Sequence, residues 1–183
     1  MYAPAVQIDS ALLLLVGGLA AVILPKSALA HAAGDAAAVK RYYVKGTLVS
    51  LAVLIGGAAT AWGLSPWIFP LWLGNPMEAT RAILPLVLIH TVVGGSSAVG
   101  RSVLLAAGKV KAFTIAALAG GAANVILGFV FVRYLGWGLP GIVLATIIAV
   151  TARCAIWMPW YTWRVVRRGI ELEWKEEAAP IGA

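Results

Sequence analysis

The chain has 183 residues, 62% hydrophobic and 11% charged, with a net charge of +7 and a mean hydropathy of +0.93. Soluble domains hold about a quarter of their residues as charges, so this composition excludes a water-soluble globule and indicates an all-α integral membrane protein. The positive charge reads as membrane topology and not as nucleic-acid binding, because Lys and Arg fall mostly in short polar stretches and the tail.

A helix rising about 1.5 Å per residue needs about 20 apolar residues to cross hydrocarbon. Five runs meet that need: residues 9–30, 46–64, 81–107, 112–132 and 139–160. They predict one transmembrane bundle over residues 1–163, followed by a charged cytoplasmic tail over residues 164–183. The runs are too long for strands and lack their alternation.

The first run lacks a basic leader, so ALA-H near its end is a span terminus and not a signal-cleavage site. The connector HAAGDAAAVKRYYVK separates it from the second run. In SPWIFPLWLGNP, Pro66 and Pro70 are expected to end the second helix, with Trp67 and Trp72 in an interfacial aromatic belt. GKVK turns the third span into the fourth, and RYLGWG the fourth into the fifth. Pro85 and Pro159 can kink their helices, and the pairs Gly56-Gly57 and Gly120-Gly121 suit close packing. Cys154 is the lone cysteine, so no internal disulfide and no cysteine zinc motif is available. No metal or cofactor is expected.

Loop charge sets direction. No Lys or Arg precedes the first span, whereas Lys26, Lys40, Arg41 and Lys45 surround the first connector. The second connector has only Arg81, offset by Glu78. The third has Lys109 and Lys111, the fourth has Arg133, and the tail has Arg164, Arg167, Arg168 and Lys175. This alternation places the N-terminus outside and the tail in the cytoplasm. An uncharged outside start predicts either a translocated N-tail or the C-terminal part of a larger transporter.

Ionisable groups at membrane depth are the functional candidates, because inserting one costs about 2.5–3.5 kcal/mol on translocon scales. At about 100° per residue, His90, Gly94, Ser97 and Arg101 fall on one face of the third span. Leu88, Val92, Val99 and Val103 fall on the opposite face. His90 lies about 13 Å from Arg81 along the helix axis, and Arg101 about 10 Å from Gly108, within snorkelling reach of the interface. Arg153 lies about 16 Å from Arg164, too deep to snorkel easily. Asn124 is mid-span, either in a cavity or in an interhelical hydrogen bond. The expected cavity residues are therefore Arg153, Arg101, His90, Ser97 and Asn124. Among carboxylates only Asp9, at the outer edge of the first span, falls within these runs. So few carboxylates, and only two histidines, argue against an intramembrane enzyme.

Four landmarks occur in order: ILPKSALAHAAGD (Ile23–Asp35), FPLWLGNPMEAT (Phe69–Thr80), RSVLLAAGKVK (Arg101–Lys111) and NVILGFVFVRYLGWGLPGIVLAT (Asn124–Thr146). Together they resemble the C-terminal half of the polysaccharide and oligosaccharide lipid flippases of the multidrug/oligosaccharidyl-lipid/polysaccharide exporter superfamily. Members have two similar helical bundles with both termini cytoplasmic. The match begins at the second bundle's second helix, which implies the same outside start that the loop charges predict. The resemblance implies translocation of a lipid-linked oligosaccharide across the cytoplasmic membrane, with the bilayer, the lipid-linked glycan and a missing N-terminal bundle or second chain as partners. A half-size scaffold without transport of its own, or a drug or ion exporter of the same superfamily, are the alternatives.

Overall fold

The computed structural model describes residues 3–74 and 78–177. Among them every regular element is helical: α1 (Ala3–Ala32), α2 (Ala36–Leu73), α3 (Glu78–Ser96), α4 (Ala98–Ala106), α5 (Val110–Arg133), α6 (Gly138–Val150), a π-helical stretch (Thr151–Trp157) and α7 (Met158–Glu177). Five helical segments are long and apolar enough to cross a membrane, spanning Pro4–Ala32, Ala36–Leu73, Thr80–Ala106, Val110–Arg133 and Pro140–Gly169. Among the described residues the fold is all-helical, and its five long apolar helices fit a multi-pass membrane protein.

The helices run further than the apolar runs alone suggest. The first connector is not a polar loop: most of it is the opening of α2, and only Ala33–Asp35 turns the chain. Gly34 adopts the left-handed conformation at φ 76°, which a side chain would resist. Asp35 then caps α2, its carboxylate accepting from the Ala38 N–H at 2.7 Å. Likewise the tail continues as α7 to Glu177, so the chain does not leave its helix at residue 163. Residues 178–183 of the expected tail, and Asn75–Met77 of the second landmark, lie outside the described residues.

Pro66 and Pro70 do not end α2; both sit inside it, and the helix closes at Gly74 with φ 66°. Tertiary packing outweighs the two lost hydrogen bonds. Phe69 is fully buried in a cluster with Ala5, Leu12, Leu54, Leu84 and Val87, which holds the last turns of α2 against α1 and α3. A second cluster (Ile23, Val39, Tyr43, Val99, Val103 and Val166) joins α1, α2, α4 and α7 at the opposite end of the bundle.

Three glycines set helix spacing: a Cβ at Gly46 would collide with the Ile23 side chain and press on Val99. A Cβ at Gly57 would lie 2.5 Å from the Leu12 side chain, and one at Gly95 would lie 2.8 Å from Leu54. Gly56 and Gly121 face open space, so only one member of each pair works as a contact surface. α1 packs on α2, α3 and α4, α3 on α6, and α5 mainly on α6. No residue of α5 is buried. At the end where the first connector and α7 meet, Lys40 lies 5.1 Å above the Trp163 ring, and Arg164 lies 5.3 Å from that of Trp160.

Candidate functional site: an intramembrane cationic cavity

The expected third span is one crossing built from two helices. The Ser96 hydroxyl donates to the Val93 carbonyl at 2.9 Å, and that of Ser97 to the Gly94 carbonyl at 2.7 Å. These local bonds compete with the backbone ladder, and the helix breaks at Ser97 between α3 and α4. The break preserves the polar stripe: His90, Gly94, Ser97 and Arg101 all line one cavity of about 310 Å³.

Arg153 reaches the same cavity from the fifth span. It sits in the π-helical stretch, where the Met158 N–H donates to the Arg153 carbonyl, five residues back. Pro159 follows, and a proline ring clashes with the carbonyl four residues before it in a regular α-helix. The wider π turn accommodates that ring, and such turns frequently occur at functional sites. Leu13, Val16 and Gly17 of α1 supply the apolar wall, and Phe113 and Val150 complete the lining from α5 and α6.

The cavity thus collects two guanidinium groups, an imidazole and a hydroxyl. Arg101 is exposed and Arg153 half-buried. Among the described residues neither arginine has an ion-pair or hydrogen-bond partner for its side chain. Two unpaired cations on a cavity within membrane-spanning helices favour an anionic guest, above all one whose oxygens accept several N–H bonds at once.

His90 has a partner that sequence reasoning missed. Its Nδ1 lies 3.9 Å from Asp9 Oδ1, and the Thr91 hydroxyl donates to the same oxygen at 2.5 Å. Thr91 also lies 2.8 Å from the Val87 carbonyl, an alternative acceptor. Asp9 was visible as the lone carboxylate within the apolar runs. Its contact with a residue 82 positions away depends on how α1 packs against α3, which no local pattern encodes.

Asn124 is not at the cavity. Its Oδ1 accepts from the Thr146 hydroxyl at 3.2 Å, tying α5 to α6. Four of the five expected residues therefore converge, and the fifth joins two helices. Comparisons with protein-family models, with curated proteins and with solved structures find no match for this chain.

Proposed function

We propose that this chain carries the anionic head of a lipid-linked oligosaccharide across the cytoplasmic membrane, as a half-size transporter or as the C-terminal part of a larger one. In this reading it is a carrier and not an enzyme. The observation that carries the reading is the convergence of Arg101 and Arg153, unpaired among the described residues, with His90 and Ser97 on one cavity inside the spans. A diphosphate-linked sugar needs cations to offset its charge and hydroxyl or imidazole groups to replace water, and the cavity offers both. The Gly108-Lys109 turn and the Gly-rich YLGWGLPG stretch (Tyr134–Gly141) support the polysaccharide branch over a drug or ion exporter. The outer surface of α5, where no residue is buried, suits the lipid bilayer or a partner bundle.

Deleting the gene is expected to abolish surface polysaccharide and to leave its lipid-linked precursor accumulating on the cytoplasmic leaflet. Normal export in the deletion strain overturns the proposal. Orientation has its own test. Green fluorescent protein fused after Lys111 is expected to fluoresce, since the cytoplasm supports its folding. Activity of an alkaline phosphatase fused there instead would reverse the topology.

A further inference from the structure

Arg153 lines two spaces at once. One is the polar cavity; the other is an apolar groove of about 630 Å³ between α5 and the fifth span. The floor of the groove on α5 is made of small residues, Ala112, Ala116, Ala119, Gly120 and Ala123. From Ala112 to Leu127 it runs about 22 Å at a helical rise of 1.5 Å per residue. Trp157, Trp160 and Tyr161 wall its other side, with Trp157 and Tyr161 stacked at 5.0 Å.

Gly120 marks the junction. A Cβ there would lie 3.2 Å from Arg153 Cδ, so the glycine leaves room for the arginine stem to pass. The guanidinium is consequently the one charged group bordering a groove otherwise lined by Ala, Gly, Leu, Ile and aromatic residues. An apolar chain alone would not explain that charge, and a free phosphate would not explain the groove.

We infer that the groove between α5 and the fifth span holds the hydrocarbon chain of the lipid carrier, with its phosphate at Arg153 and its sugar in the polar cavity. This rests on the flippase reading and adds to it the place of the lipid. The carrier's chain stays in a slot open to the bilayer, while its head occupies the cavity bounded by α1, α3 and α4. A single phosphate-bearing chain fits the charge complementarity. Phosphatidylglycerol, with two chains and a bulkier backbone, is the competing occupant supplied by the bilayer itself.

The test uses the full chain in detergent, with farnesyl phosphate, inorganic diphosphate and phosphatidylglycerol as probes and isothermal titration as the readout. Ala116→Phe and Ala112→Phe each fill part of the groove away from the Gly120–Arg153 contact. Both lie on α5, where no residue is buried, so the core is untouched. Each is expected to weaken farnesyl phosphate about tenfold while leaving inorganic diphosphate unchanged. Arg153→Gln is expected to weaken both ligands by about the same factor. Farnesyl phosphate binding unaffected by Ala116→Phe, or equal competition by phosphatidylglycerol, overturns the groove assignment and leaves the flippase reading standing. Diphosphate binding unaffected by replacing Arg101 and Arg153 together by Gln sinks the flippase reading itself.

Discussion

In the proposed carrier, replacing Arg101 and Arg153 together by Leu is expected to abolish polysaccharide export, while the protein still inserts and accumulates. Insertion is spared because both substitutions put an apolar group in place of a charge, and at a helix centre, where Arg153 lies, that charge costs about 2.5–3.5 kcal/mol on translocon scales. Under that reading export is expected to fail because the cavity loses both its cations. A hydrogen bond to a charged group contributes about 1.5–3 kcal/mol, so each lost arginine weakens the phosphate by about tenfold or more. The single variants separate the two roles. Arg153→Leu has the larger effect, because Arg153 is half-buried and borders both the cavity and the apolar groove. Arg101→Leu is milder, since Arg101 is exposed and its stem can reach the interface. Export assays with membrane-fraction immunoblots measure both quantities. Intact export in the double variant would replace the carrier reading with that of a scaffold.

Phe69→Ala destabilises the bundle by about 3–5 kcal/mol, the usual cost of emptying an aromatic site in a packed core. Phe69 has no exposed surface and lies among Ala5, Leu54 and Leu84, in the part of α2 between Pro66 and Pro70. Two prolines there sacrifice backbone hydrogen bonds, so packing of this ring is what keeps α2 continuous to Leu73. Trp67, two residues earlier and 68% exposed, serves as the control. Trp67→Ala should cost under about 1 kcal/mol. Denaturant or thermal unfolding in detergent measures the difference. Equal small losses for both variants would show that α2 ends near residue 64, as its prolines alone suggest.

The two substitutions also locate what could be read along the chain. The crossings were legible because hydropathy and run length are local properties. The polar stripe His90–Gly94–Ser97–Arg101 was legible because helical periodicity alone brings those positions to one face. It survives the break at Ser97 because the break lies within the stripe and keeps its residues on the same cavity. Helix ends were less legible. Charge in Lys40, Arg41 and Lys45 marks them as polar without revealing that they continue α2, and Pro66 and Pro70 read as stops until Phe69 is seen to be buried. Asn124 was legible as a mid-span polar residue with two possible roles, and its Thr146 partner selects the hydrogen bond.

By itself the sequence determined a five-span helical membrane protein, the alternation of its loop charge and a short set of costly polar residues within the spans. Each of these follows from transfer free energies and a fixed helical period, which act residue by residue. Only the tertiary structure decided that Arg153 meets Arg101 at one cavity, that Asp9 lies beside His90, and that Gly120 opens a groove beside Arg153. Those contacts join spans far apart in the chain. They depend on how helices rotate and shift against one another, and that choice is made by side-chain volumes such as Gly57 against Leu12 and Gly95 against Leu54, summed over the whole bundle.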